Sequence, residues 1–156
     1  MSRMYTLQFN AVAVTVQQDL FEITAPADAV VRIHEIGLSQ TTELGDAEEE
    51  SLLLLMKQGA TTSGTGGTTP TPAPIELGDA AFGGVCDVNN TAKASGGTIV
   101  THRPFAWNIR QYFQHIFTPE TYPKLSPSAR WTFELAQTPT DSITMNGYVV
   151  FEEIGG

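Results

Sequence analysis

The sequence has little cysteine, little positive charge and no long hydrophobic run. Its single cysteine, Cys86, excludes an intrachain disulfide and is typical of a protein made in a reducing cytoplasm. Lys and Arg number 8 against 17 Asp and Glu, and the formal net charge of −9 disfavours unaided binding to nucleic acid or to an anionic membrane. The longest uncharged apolar run, residues 52–56, is far shorter than the roughly 20 residues that span a bilayer. We therefore expect neither nucleic acid nor membrane as a partner.

Residues that favour strands and turns are plentiful instead. The chain contains 20 Thr, 14 Gly and 9 Pro in 156 residues, and no long apolar pattern of helical period is present. A chain of this length is typically one domain, because domains most often contain about 100–150 residues. The sequence therefore predicts a single all-β domain over 1–156, with long loops.

The first segment alternates like a half-buried strand and then changes phase. Tyr5, Leu7 and Phe9 share one face, whereas Val12, Val14 and Val16 occupy positions of the opposite parity. A bulge at residues 10–11 would turn both sets toward one core. The same phase change between 31–33 and 36–38 predicts a second bulged strand.

Residues 43–57 are consistent with two structures. Asp46 with Glu49 is typical of a helix start, and Lys57 with Gly59 is typical of a helix end. The alternative is an acidic loop that leads into a strand at 52–56. We favour the strand, because four consecutive leucines would cover every side of a helix and the flanking threonines are poor helix formers.

Two further segments have extended character. Residues 1–16 form a candidate N-terminal strand or arm, and residues 59–74 form a low-complexity Thr/Gly/Pro loop. The composition predicts that this loop is flexible at its Gly end and extended at its Pro end. In the second half, alternation or turn residues predict strands near 85–88, 98–102, 113–117, 130–135 and 143–152. About eight or nine strands favour an antiparallel β-sandwich, and the jelly roll is the common eight-stranded form.

Residues that could support catalysis do not form a recognisable motif. The three histidines, His34, His102 and His115, show no His-x-His pair, and Asp87 would lie on the opposite face of a strand from Cys86. The acidic cluster Glu43, Asp46, Glu48, Glu49 and Glu50 lacks the ligand spacing of a calcium loop, and the glycines at 64–67 lack the lysine of a phosphate loop. We therefore expect a protein that is not an enzyme and has no cofactor or metal.

An aromatic segment is the best candidate for a partner interface. Aromatic and arginine residues are enriched at the buried centres of protein interfaces, and several occur within eleven residues here. The same aromatics could instead be ordinary core. The interface candidates are Arg103, Phe105, Trp107, Arg110 and Tyr112. Four basic residues of the second half (Arg103, Arg110, Lys124 and Arg130) contrast with the acidic residues 43–50, which would suit subunits that meet acid face to basic face.

Several segments together resemble a family of small structural proteins of tailed phages and prophages. They are 5–23 with Phe21-Glu22-Ile23-Thr24, the loop 61–67 leading to Thr71-Pro72, the Asn89-Asn90-Thr91 triplet, and 142–147. In size and composition the chain is similar to phage head decoration (cement) proteins. The resemblance covers nearly the whole chain, and its motifs are loop and strand signatures rather than chemical ones.

The resemblance implies a role on the virion. It implies a capsid decoration protein that binds the major capsid protein, associates with itself, most often as a trimer, and stabilises the assembled head. Such a protein would be made in the host bacterial cytoplasm and end on the capsid surface. Residues 1–16 and 59–74 could serve as arms that add to a neighbour's sheet. The alternative is a carbohydrate- or receptor-binding β-sandwich of a phage tail, which would need an exposed aromatic platform such as Trp107 or Trp131.

Overall fold

In the computed structural model, strands form wherever apolar residues alternate, and turns form at the Gly- and Pro-rich segments between them. The structure describes residues 1–42 and 49–155, and none of these residues is helical. In that part of the chain there is accordingly no helix that could cross a membrane. The strands are β1 (Ser2–Val14), β2 (Gln18–Thr24), β3 (Ala29–Gln40), β4 (Ser51–Gln58), β5 (Ala73–Pro74), β6 (Val85–Asn90), β7 (Val100–Asn108), β8 (Phe113–Ile116), β9 (Lys124–Leu125), β10 (Arg130–Leu135) and β11 (Ile143–Gly155).

The strands form two antiparallel sheets that pack face to face, which confirms the predicted β-sandwich. Sheet A has the order β5-β1-β11-β3-β8, with β9 also pairing with β3, and sheet B has the order β6-β2-β10-β4-β7. Without β5, β6 and β9, eight strands remain in the orders β1-β11-β3-β8 and β2-β10-β4-β7. Strands that are consecutive along the chain mostly alternate between the sheets, which is the double Greek-key connection of a jelly roll.

The core lies between the sheets and is filled by the residues that alternate along each strand. Trp131 and Phe133 of β10 and Tyr5 of β1 are fully buried. Trp131 stacks on Phe133 with ring centroids 6.1 Å apart, and Tyr5 stacks on Phe151 of β11 at 5.6 Å. The large aromatic area on both inner faces accounts for much of the apolar surface removed from water.

Both predicted bulges are present. The β1–β11 register shifts between Phe9 and Val12, and Ala11 at the bulge has a φ of 53°. The β11–β3 register shifts between Val150 and Phe151, opposite His34. The first bulge turns Val14 into the core, but Val16 lies beyond the strand and is 42% exposed, so the prediction that it joins the core is wrong.

The ambiguous segment around residue 52 is a strand. Leu52, Leu54 and Met56 of β4 are buried, whereas Leu53 is 37% exposed. Trp131, Phe133 and Leu135 of β10 pair with the second half of β4. The strand interpretation is therefore confirmed for 51–58, and the part of the predicted helix at 46–48 lies outside the described residues.

The N-terminal segment is a strand of sheet A. β1 lies between β11 and β5 in sheet A, and its register with β11 runs from Ser2 opposite Ile154 to Val14 opposite Ile143. Its inward side chains, Tyr5, Leu7 and Phe9, belong to the core. Residues 2–14 are therefore the strand that the sequence predicted, and the fold itself requires them. Their contact with a neighbouring subunit stays a prediction.

The low-complexity loop is held in place by hydrogen bonds rather than free. Its backbone forms bridges to the segment 88–95 at Thr62, Thr65 and Thr68. The Glu22 carboxylate on β2 accepts hydrogen bonds from Ser63 Oγ (2.9 Å) and from Gly64 N (3.0 and 3.1 Å). The loop then ends in β5, which pairs with β1. It therefore contacts both sheets of its own chain, and its use as an arm toward a neighbouring subunit stays a prediction.

Candidate functional site

The predicted interface residues lie on and around β7 and β8, the edge strands of the two sheets. β7 pairs with β4 on one side, β8 pairs with β3 on one side, and each is the last strand of its sheet in the described part of the chain. Pro104 lies inside β7, where an edge position tolerates a residue without an N–H group. Trp107 of β7 belongs to the core between the sheets, and Phe105 and Phe113 pack against that core.

Trp107 belongs to the core and not to the surface. Its side chain is 2% exposed, and its Nε1–H donates a hydrogen bond to the Gln111 carbonyl at 2.8 Å. Trp131 is fully buried as well. Neither tryptophan can form the exposed platform that the carbohydrate-binding alternative assumed, and Trp107 cannot contact a partner directly.

Arg103 and Phe105 lie together with aromatic residues of β8 and the segment after it. Phe105 packs against Phe113 and His115, at ring-centroid distances of 5.4 and 5.0 Å. The Arg103 guanidinium donates to His115 Nε2 at 3.1 Å and lies 5.4 Å from the centre of the Phe117 ring. Burial and the nearby positive charge of Arg103 lower the pKa of His115. The imidazole is therefore neutral at neutral pH and can accept the bond from arginine.

A hollow of about 290 Å³ lies beside Arg103. It is lined by Met56, Gln58, His102, Arg103 and residues 121–124, which include Lys124. Among residues 1–42 and 49–155, no acidic side chain lines this hollow, and none forms an ion pair with His102, Arg103 or Lys124. The hollow therefore carries positive charge on a chain whose net charge is negative.

Tyr112 lies at the other end of β7, beyond the turn that contains Arg110. Its side chain is 57% exposed, and its hydroxyl lies 2.7 Å from the Tyr148 hydroxyl of β11. Tyr148 donates a short hydrogen bond to Glu35, and Gln114 Nε2 donates to the same Glu35 oxygen at 2.6 Å. Burial, together with the hydrogen bonds that Tyr148 forms with Glu35 and Tyr112, raises the pKa of Tyr148. The five candidates therefore lie in three places. Arg103 lines the basic hollow, Trp107 belongs to the core with Phe105 packed against it, and Arg110 lies in the turn before Tyr112. We call Tyr112, Tyr148, Glu35 and Gln114 the Tyr112 cluster.

The outer face of sheet B holds a second group of polar residues, covered by the loop segments around 63 and 94. Asp19, Glu22 and Glu134 are each at most 3% exposed. Asp19 accepts a hydrogen bond from Ala94 N at 2.7 Å, and Glu134 is bonded to both Lys57 and Lys93. Burial raises the pKa of Asp19 to about 7, despite the opposing effect of the Ala94 bond. Burial also acts to raise the pKa of Glu134, but the two lysines outweigh it and lower that pKa.

The other polar residues considered from the sequence occupy separate places. Cys86 is buried, and burial raises the pKa of its thiol. Glu50 accepts bonds from the Thr140 backbone and hydroxyl, and Glu49 accepts one from Asn108. Glu43, Asp46 and Glu48 lie outside the described residues. In the part of the chain that is described, no group of three His, Cys, Asp or Glu side chains is placed to hold a metal ion.

Sequence reasoning did not identify Tyr148, Glu35 or Gln114 as candidate site residues. Each occurs singly on its own strand, and only the sheet order β11-β3-β8 brings them together. The pairings Tyr148 to Gly37 and Gly37 to Gln114 place the tyrosine and the glutamine on one rung, and Glu35 lies two residues before Gly37 on the same face of β3. A tyrosine on the polar face of the last strand was the one local signal.

Comparison of the chain with family models, with curated proteins and with solved structures finds no match.

Proposed function

We propose that the chain is a non-enzymatic structural protein of a phage virion, a capsid decoration protein that binds the assembled head and stabilises it. The resemblance of the loop and strand segments to phage structural proteins suggests this class. The structural observation that supports it best is the basic hollow at His102, Arg103 and Lys124. It lies next to the edges of β7 and β8, which pair with no further strand in the described part of the chain.

This hollow is suited to an acidic segment of another subunit. The chain carries an excess of nine negative charges, and its acidic residues at 43–50 lie far along the sequence from Arg103 and Lys124. If the acidic segment of each subunit binds the basic hollow of the next, the two surfaces of the contact differ, and the interface is heterologous. Such an interface closes into a ring when the rotation from one subunit to the next divides a full turn. We propose that a homotrimer forms in this way and docks on the major capsid protein at the capsid surface. Many copies on one lattice would make modest contacts effective through avidity.

Stabilisation of the head then follows from mass action. A protein that binds the assembled lattice, and not the separated subunits, shifts the equilibrium toward the lattice. The exposed apolar side chains near the ends of β7 and β8 would add apolar area to the contact: Val100 is 48% exposed and Ile116 is 64% exposed.

The test combines the mass of the free protein with its binding to heads. Three copies of the 16.8 kDa chain give about 50 kDa, which light scattering after size exclusion measures. Cosedimentation with undecorated heads of the encoding phage measures the docking, and counting copies per virion by mass spectrometry distinguishes a head protein from a tail protein. A monomer that never pellets with heads at low salt would contradict the proposal.

Two variants examine the hollow itself. Arg103→Gln and Lys124→Gln each remove one positive charge from it, and we expect each to weaken association or head binding at least several-fold. Arg110→Gln removes the same charge at the turn beyond β7 and serves as the matched control, with binding close to that of the parent protein. Equal loss in all three variants would indicate a general charge effect instead.

A further inference from the structure

A groove crosses the outer face of sheet A beside the Tyr112 cluster. Its volume is about 300 Å³, at the lower end of the range of small-molecule sites. It lies across β1, β11 and β3, where Gln8 pairs with Tyr148, Tyr148 pairs with Gly37, and Asn146 pairs with Ser39. The groove shares no lining residue with the basic hollow of the proposed function.

Gly37 shapes the groove by having no side chain. A Cβ atom at this position would lie 2.1 Å from Cε1 of Tyr148 and 2.8 Å from the Tyr112 hydroxyl oxygen. The Tyr148 ring therefore lies directly over the Gly37 backbone. Its hydroxyl proton is donated to Glu35, so the bond between the two tyrosines uses the Tyr112 proton. The Tyr112 oxygen then keeps lone pairs that can accept a bond from a ligand.

The polar side chains of the groove are neutral, and one of them is oriented by the fold. The Asn146 Oδ1 atom accepts a hydrogen bond from Ala11 N at the β1 bulge, at 2.9 Å. This bond leaves the Asn146 amide nitrogen as a donor toward the groove. Gln8 and Asn10 are exposed beside it, and Ser39 lies across from it. The groove lining that the structure describes contains no charged side chain.

A second hollow of about 240 Å³ continues on the other side of Tyr112. The two hollows share Ser39 and Tyr112, and the second adds Gln40, Thr42, Gln111 and Arg110. One exposed aromatic side chain thus stands between two compartments, and amide and hydroxyl groups line both. This arrangement suits a ligand built from more than one ring-sized unit.

We propose that this groove binds a neutral oligosaccharide, with a sugar ring packed against Tyr112 and Tyr148 and its hydroxyls bonded to Gln8, Asn10, Ser39 and Asn146. The C–H groups on one face of a sugar ring are apolar and slightly positive, which matches the negative face of an aromatic ring. Its hydroxyls both donate and accept, as amides and serine do. Among the described lining residues of the groove there is no cation for a phosphate or carboxylate ligand, and the one arginine nearby, Arg110, lines only the second hollow.

The inference goes beyond the proposed function, since a protein docked on a head through β7 and β8 can still present the outer face of sheet A. The test is an NMR titration of the ¹⁵N-labelled protein with neutral di- and trisaccharides of glucose, galactose, mannose and N-acetylglucosamine. We expect at least one of them to shift the amide signals of residues 8–10, 37–39 and 146–148, with a Kd between about 1 µM and 1 mM. No shift in these signals with any of the sugars at about 10 mM, or shifts confined to another surface, would overturn the proposal.

Variants separate the groove from the remaining surface. Tyr112→Ala removes an exposed ring, and Asn146→Ala removes the oriented donor; we expect each to weaken binding about tenfold or more. Tyr122→Phe, outside the groove, is the control and should bind as the parent does. A retained parent-like spectrum shows that each variant is folded, and unchanged affinity in folded Tyr112→Ala would contradict the assignment. Head binding is measured separately, so failure of either proposal leaves the other open to its own test.

Discussion

Asp19 is an acidic residue placed where its charge is unfavourable. It is 2% exposed, on the outer face of sheet B, and it shares this covered region with Glu22 and Glu134. Burial of the carboxyl is the main reason that its pKa is raised to about 7, and the two neighbouring carboxylates add to the effect. The backbone N–H of Ala94 opposes the shift but does not reverse it. A proton on Asp19 therefore stabilises the fold.

We expect Asp19→Asn to remove a pH dependence of stability. The folded protein binds this proton more tightly than the unfolded chain, in which the pKa of Asp is near the ordinary value of 3.8. The proton's contribution to the free energy of unfolding is therefore complete below about pH 4 and is lost as the pH rises toward 7. Asparagine keeps an acceptor for Ala94 N. Between about pH 4 and pH 7, the parent should lose roughly 2–4 kcal/mol of unfolding free energy relative to the variant. Urea titrations at several pH values measure this.

The control for this experiment is Asp141→Asn, which changes an exposed carboxylate near the start of β11. Its pH profile should follow that of the parent. If Asp19→Asn also follows the parent profile, then the proton on Asp19 does not contribute to stability, and the neighbouring Lys57 and Lys93 compensate for the charge of its carboxylate.

Among the individual elements, β1 has the most unexpected role. It was predicted as a possible arm, yet it carries three core residues and covers the edge of β11. We expect deletion of residues 2–10 to prevent folding, because the deletion removes buried Tyr5, Leu7 and Phe9 and exposes unpaired backbone groups along β11. Far-UV circular dichroism and solubility report the outcome.

A matched variant changes only the outward side chains of the same strand. Replacement of Thr6, Gln8 and Asn10 by alanine keeps the inward residues and the backbone pairing, so this variant should fold. A soluble deletion protein with the spectrum of the parent would show instead that β1 is dispensable, and would restore the arm hypothesis.

The strands were predictable where one face is apolar and the other polar. Alternation identified β1, β10 and β11, and the phase change at residues 10–11 identified the bulge, because a one-residue slip moves every side chain to the other face. The loop at 59–74 could not be predicted in this way. Its order depends on Glu22 and Asn90, which are distant in sequence and meet it only after β2 and β6 have paired.

The candidate sites were predictable only in part for the same reason. Arg103, Phe105 and Tyr112 are close in sequence, and their composition drew attention to them. Whether each is buried depends on the partner strand, and Trp107 turned inward. The saccharide groove takes residues from three strands and a turn, and the register between those strands is not readable from any single segment.

At the scale of the whole molecule, the two sheets share one core and should unfold together. Phe133 belongs to sheet B and Phe151 to sheet A, and both are fully buried. We expect Phe133→Ala and Phe151→Ala each to cost about 3–5 kcal/mol. Each variant should shift two probes equally in urea: the fluorescence of Trp107 and Trp131 in sheet B, and the amide signals of β11 in sheet A.

Val16→Ala is the control for these variants, since Val16 is 42% exposed and should cost less than about 0.5 kcal/mol. Two separate transitions, one for each sheet, would contradict a shared core. A cost below about 1 kcal/mol at Phe133 or Phe151 would show that the site is not packed as described.

The hydrogen-bonded loop at 59–74 has a consequence for engineering the protein. Its composition suggests a tolerant linker, a natural place to insert an epitope tag or a displayed peptide. However, a Cβ atom at Gly64 would lie 2.3 Å from the Ala92 carbonyl oxygen, and one at Gly67 would lie 2.1 Å from that of Val88. A Cβ atom at Gly78 meets nothing within 4 Å, and neighbouring Leu77 is 89% exposed. A displayed peptide therefore belongs at residues 77–78.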